Sequence, residues 1–409
     1  MRNYICVLAS CVLILAGCAD FSTRVEQLKS NLKPANAVRF KVHIIEDGIR
    51  EGYKTAIADV NLDGRPDILL TTMRKSEPAW YENPTWDRHL ISDALEVTPF
   101  ILTASDIEGD ETPEMFTSAG FSPINEDSLG KIYKLRSNND PKQLWQYELF
   151  DTIFMAHRMY FADLDNDGKS ELVVAPIIGS PTKPMAEYDA STPLYYYQSE
   201  TFKKQLVNDN LHGTVHGMEI AKWDGQDAIL TAGFDGIWLH RANGTDSTGK
   251  INFKSEHITK GKWSNELVRR GSSDVQLGIL PNGGKFIASI EPFHGDLVVI
   301  YTQNNNGDPA NSWDRHLIDD SLSHGHALVT GDFNDDGFDE LIASGDNADD
   351  IYIYYALDAS GSAWRREEIL DDFGAQGCSA ADFNLDSRLD FVCVSNSSKQ
   401  FRWYENLGE

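Results

Sequence analysis

The sequence predicts an all-β fold, a seven-bladed β-propeller, on three observations. An acidic hairpin repeats along the chain, a strand of aromatic, charged and apolar residues recurs seven times, and a Tyr/Trp-rich strand recurs seven times between them. Four short strands fall in each unit of roughly 46 to 60 residues, which is the size of one propeller blade.

The acidic hairpin is clearest in Asp59-Val-Asn61-Leu-Asp63-Gly64-Arg-Pro-Asp67, Asp163-Leu-Asp165-Asn-Asp167-Gly168-Lys-Ser-Glu171 and Asp332-Phe-Asn334-Asp-Asp336-Gly337-Phe-Asp-Glu340. Oxygen ligands at alternate residues, a glycine for the turn and a closing carboxylate describe a calcium loop. Two looser copies hold Asp106, Glu108, Asp110 and Glu114, and Asp382, Asn384, Asp386 and Asp390, with Glu111 and Ser387 at the glycine position. Three to five structural Ca2+ sites are therefore expected, the looser two weaker or partial. An EF-hand would close later and continue as a helix, whereas here runs such as Ile68 to Thr72 follow, so each loop joins two strands. Any single copy could be an ordinary Asp/Asn/Gly turn, and it is the repetition in register that argues for metal.

The outer-strand pattern covers Phe40 to Ile45, Trp86 to Ile91, Leu144 to Leu149, Phe202 to Val207, Phe253 to Ile258, Trp313 to Ile318 and Trp364 to Ile369. The aromatic third strand falls at 79–83, 131–136, 194–198, 236–241, 297–302, 351–356 and 401–405. Degenerate hairpins near Lys222 to Asp227 and Gly278 to Gly284 complete the set. Because the ordered part opens on an outer strand and closes on a third strand, the N-terminal strand is expected to complete the last blade and close the ring, leaving no free edge.

Ahead of the propeller at 39–409, residues 1–17 carry Arg2 and an apolar run, and read as a secretory leader too short to span a membrane. Leu15-Ala-Gly-Cys18 resembles the bacterial lipobox, so Cys18 is expected to be lipidated and 18–38 to form a tether. The body would then be held at a membrane of the bacterial cell envelope by its lipid alone; an ordinary cleavable signal peptide is the alternative. In the mature body Cys378 and Cys393 flank the last acidic loop, and either a cross-strand disulfide or two buried thiols would satisfy that spacing. A formal charge of −27 excludes nucleic acid as a partner, since its phosphates would be repelled.

A candidate site lies on the face away from the acidic loops. Six residues before the first loop ligand, the blades carry Tyr53, Phe100, His157, His216, Ser272, His326 and Gln376. Equivalent positions in a propeller ring its channel, so three histidines should converge at the mouth, near His324, Arg158, Arg74, Lys75, Lys183, Asp235, Glu291 and His294. Imidazoles beside arginine and carboxylate suit a transition-metal site or acid-base work, and the alternative is a polar lining around water. His43, His89, His257 and His316 fall in the repeated outer strand and read as structural.

The acidic hairpin resembles the FG-GAP and VCBS repeats, over roughly 40–409, and this resemblance implies the propeller fold. Thr71 to Pro84, with Arg74, Lys75 and Trp80, and Glu291 to Tyr301, with His294, look like the propeller portion of aldos-2-ulose dehydratases, metal-containing enzymes that eliminate water from keto-sugars. That second resemblance implies a carbohydrate lyase. His157, His216 and His326 would hold a divalent metal such as Zn2+, His294 would be the base, Arg74 and Arg158 would hold developing negative charge, and Tyr53 would protonate the leaving group. A non-catalytic propeller binding glycan or protein is the competing expectation; Trp80, Trp238 or Trp403 would stack on sugar if exposed, but packing between blades is the favoured reading for each. A calcium-stabilised scaffold is a third.

Overall fold

The computed structural model describes residues 37–408 except 74–76, 94, 96–97, 109, 111, 122–129, 139, 305–311, 348–349 and 371. The leader, Cys18, nearly all of the tether, Arg74 and Lys75 lie outside the described residues.

Among the described residues, seven four-stranded antiparallel sheets form a ring; in six the strand order runs outward along the chain, and in the last the N-terminal strand is outermost. The innermost strands are Gly52–Ala58, Pro99–Ser105, Ala156–Ala162, Val215–Trp223, Asp274–Ile279, Gly325–Gly331 and Ala375–Ala381. Each packs against the innermost strand of the next blade, and Ala375–Ala381 packs against Gly52–Ala58, so the ring is complete. The N-terminal strand Phe40–Asp47 pairs antiparallel with Gln400–Asn406 and is the outer strand of blade 7.

Position in the blade explains the sequence patterns. Second strands lie between neighbouring blades on both faces, so Glu171–Pro176 is buried throughout and shows no alternation. Outer strands meet solvent on one side, and Lys204–Asn208 alternates accordingly. Aromatic side chains fill the wedges between blades: Phe391 stacks on Tyr404 at 4.3 Å and meets Phe40 edge-on at 5.0 Å. Trp80 is fully buried, while His257 lies over Trp238 at 4.7 Å and His43 over Trp403 at 4.4 Å. These three tryptophans are packing residues, the reading favoured for each, and they are not sugar platforms.

Two asparagines tie blades together. Asn83 donates its side-chain N–H to the Phe383 carbonyl at 2.7 Å, and Asn406 does the same to Phe333 at 2.7 Å, each reaching the preceding blade's acidic loop. Their backbone N–H groups bind the closing acids Asp67 and Asp390 of their own blades. Blade 4, which lost its carboxylates, turns instead through Asp224 and Gly225, both at positive φ (53° and 87°) as a two-residue hairpin requires. Cys378 and Cys393 face each other across the last hairpin as a disulfide, with Cα atoms 4.2 Å apart.

Candidate metal centre at the propeller mouth

A β-bulge builds the mouth. In six blades the pairing of the innermost strand slips by one residue, and the residues skipped are Tyr53, Phe100, His157, His216, His326 and Gln376. A bulge re-aims a side chain and breaks strand alternation, so these residues turn toward the axis, and Lys54 and Arg158, which follow two of them, line the channel beneath. Blade 5 keeps regular pairing and offers only the short Ser272 and Ser273 at this level. Its contribution comes from the loop between its second and third strands, where His294 sits at φ 49°. A histidine in the left-handed region is uncommon and here swings the ring over the axis.

Blades 4, 5 and 6 thus present His216, His294 and His326, whose ring nitrogens lie within 4.8 Å of one another. Backbone carbonyls fix two of the rings. His216 Nδ1–H donates to Ser273 O at 2.7 Å, and His326 Nδ1–H donates to Gln376 O at 2.7 Å. A carbonyl only accepts, so in the neutral imidazoles each Nε2 is unprotonated; that of His326 accepts the Gln376 side-chain N–H at 3.1 Å, which a metal ion would have to displace. Gly217 permits the first bond, because a Cβ there would come within 2.8 Å of Ser273 O. His294 Nε2 lies 3.1 Å from His216 Nε2, a spacing that calls for either a proton or a cation at the shared position.

Behind His294 stands an anchor. Its Nδ1 lies 3.3 Å from His324 Nε2, and His324 Nδ1 donates to Asp346 at 2.5 Å. The Asp346 carboxylate holds His324 above the ordinary histidine value, whereas burial drives His294 down to about 3. Burial also keeps His216 and His326 well below that value, so all three rings are neutral at physiological pH. Neutral imidazoles with the far nitrogen hydrogen-bonded are the form that ligates zinc and similar ions.

The other half of the mouth is aromatic. Tyr53 stacks on Phe100 at 4.4 Å, and Phe100 stacks on Phe121 at 4.1 Å. His157 lies in this half, its Nε2 2.8 Å from the Tyr53 hydroxyl and its ring 4.9 Å from that of His216. Arg158 is buried beneath, with Nη1 donating to Tyr53 Oη at 3.2 Å, and burial with the Arg158 charge keeps His157 neutral.

The histidines brought together therefore differ from the expected triple: His294 replaces His157, which Tyr53 and Arg158 engage. Arg158 faces the channel under the ring, and Arg74 lies outside the described residues. Glu291 is buried against Arg315 at 2.7 Å and Tyr301, a structural cluster away from the mouth. Lys183 pairs with Asp189 at 2.8 Å, and Asp235 accepts from Trp238. Asp346 and Phe121 went unnoticed in the sequence; Asp346 directly follows the second strand of blade 6, Glu340–Gly345, which is the one available signal.

On the opposite face, the acidic loops share one geometry. Asp332 binds the backbone N–H of Asp336 and Gly337, and Asp59, Asp163 and Asp382 act identically in their loops. Asp163, Asp165 and Glu171 bring carboxylate oxygens within 4.8 Å. Burial raises the closing acids, Glu340 to about 9, Glu171 to about 7, and Asp67 and Asp390 to about 6. Blade 2 differs: Glu108 is taken by Lys134 Nζ at 2.5 Å, a side chain only 3% exposed, and by Arg136. That loop carries its own cations.

Fold and mouth define the class: a seven-bladed propeller with a histidine cluster on its axis. No family model and no curated protein matches the chain. Among solved structures it is similar to virginiamycin B lyase from Staphylococcus aureus, with a TM-score of 0.54 at 10% identity over 90% of this chain and 99% of that one. It is also similar to BBS1N in complex with ARL6DN, with a TM-score of 0.49 at 13% identity over 90% and 96% of the two chains. At such identities the likeness is one of fold.

Proposed function

We propose that the protein is a metal-dependent carbon–oxygen lyase of dehydratase type, acting on a sugar or keto-sugar at the propeller mouth. The observation that carries this reading is the convergence of three neutral imidazoles, two of them fixed by backbone carbonyls so that their Nε2 atoms are unprotonated. His216, His294 and His326 would hold one divalent ion of zinc type, leaving a coordination position for substrate. Bound there, such an ion would polarise a sugar carbonyl and stabilise the enolate formed when the neighbouring carbon loses its proton.

The chain's own groups divide the remaining work. His324, held above the ordinary histidine value by Asp346, orients His294 through Nε2. One ring cannot ligate and accept a proton through the same nitrogen, so while His294 ligates the substrate proton would pass to water at the mouth. Tyr53, across the ring, offers a hydroxyl proton to a departing oxygen, and His157 Nε2 positions that hydroxyl. Phe100 and Phe121 give an apolar wall for the sugar's C–H face.

The resemblance to aldos-2-ulose dehydratases supports this reading, as does the lipobox-like Leu15–Cys18, which would place the domain in the cell envelope. The acidic loops of blades 1, 3, 6 and 7 would carry structural calcium. The test is elimination from a panel of keto-sugars, followed by absorbance of the conjugated product. Activity lost in a His216/His294/His326 triple alanine variant supports the proposal; undiminished turnover in that variant contradicts it.

Glycan binding without turnover is the second reading, favoured by Trp263. Its indole is 54% exposed in the connection that leads to the innermost strand of blade 5, with Arg270 4.8 Å from the ring. A tight glycan complex recovered chemically unchanged after long incubation would decide for it.

A further inference from the structure

The channel beneath the histidines is a separate compartment. A cavity of about 420 Å³ is lined by all seven innermost strands, from the level of Lys54 and Arg158 toward the strand ends that carry the acidic loops. That volume lies within the usual range for small-ligand sites.

Its charges do not balance. Lys54 Nζ lies 3.8 Å from Asp274 Oδ2, and this pair matches itself. Arg158 is 1% exposed; Nη1 is engaged by Tyr53, while Nη2 is buried with no partner among the described residues. Glu219 does not offset it: Oε2 accepts the Leu277 N–H at 2.7 Å, and burial pushes the carboxyl well above the usual carboxylate range. The walls therefore carry one cation more than anions. A guanidinium so enclosed is poorly stabilised without a counter-charge, and its planar donors suit carboxylate or phosphate oxygens.

We infer that the channel binds one small oxyanion, a carboxylate or a phosphate, between Arg158 and Lys54. Thr103, Tyr160 and Gln276 line the same cavity and supply hydroxyl and amide groups to its remaining oxygens. Because Arg158 also holds Tyr53, the anion is linked to the mouth without entering it.

The experiment is calorimetric titration of the full-length chain with inorganic phosphate and, separately, acetate, with glycerol as the neutral probe. Saturable binding of phosphate or of acetate at one site per chain, and none of glycerol, is expected; which anion binds identifies the source. Lys54→Met and Arg158→Met should each weaken it by roughly tenfold or more. Ala104→Phe keeps every charge and fills the channel, so it should abolish binding even if Arg158→Met fails to fold. Failure of both anions to saturate, binding retained in Ala104→Phe, or loss in His326→Ala with none in Lys54→Met would overturn the inference.

Discussion

At the scale of single residues, the mouth depends on which atoms are already engaged. His157 has the position of a ligand in the sequence count, yet its Nε2 faces Tyr53 and Arg158. His294 has no place in that count, because it lies in a loop, and the short Ser272 and Ser273 of blade 5 leave it room. Spacing along the chain located the ring; it carried no information on which nitrogen was free. Asn406 shows the same economy on the far face, and Asn406→Ala leaves two carbonyls without their donor. A loss of about 1–3 kcal/mol is expected in urea unfolding. Glu219 gives a pH signature. A carboxyl raised on folding contributes stability that is complete below its unfolded value of 4.5 and is lost as pH rises toward the folded value. Glu219→Gln, which mimics the protonated acid, should match the wild type at pH 4 and melt higher at pH 8; equal melting temperatures at pH 8 would contradict a protonated Glu219.

At the scale of the element, the blade was legible and its irregularities were not. Strand order, the outer and third strands and the hairpin loops follow from periodicity, since each strand's environment dictates its pattern. The bulges leave no mark in composition: Tyr53, Phe100 and His326 sit among residues that would extend an ordinary strand equally well. Blade 2 is the informative exception among the loops. Lys134 and Arg136 reach Glu108 from the third strand, and that long-range pairing could not be read from the acidic loop itself. Lys134→Met should destabilise by about 1–3 kcal/mol, toward the lower end because Glu108 is partly in water. Calcium should then appear in at most the other four loops; a fifth equivalent bound to the wild type would contradict a cation-filled blade 2.

At the scale of the whole molecule, the ring places the acidic loops and the histidines on opposite faces. The acidic loops lie at the ends of the innermost strands, and the histidines at their beginnings, so calcium and mouth chemistry should be separable. Removing calcium with a chelator should lower the melting temperature, with a stability loss of about 2.7 kcal/mol for each site held at a hundredfold excess over its dissociation constant. An unchanged melting curve would remove calcium from the loops. The central claim is the metal at the mouth, and elemental analysis of the wild type, of His157→Ala and of the His216/His294/His326 triple alanine variant tests it most directly. The account predicts about one first-row metal per chain in the wild type and in His157→Ala, its loss in the triple variant, and calcium unchanged in all three. A wild type without such a metal, or a triple variant that keeps it, would contradict the account.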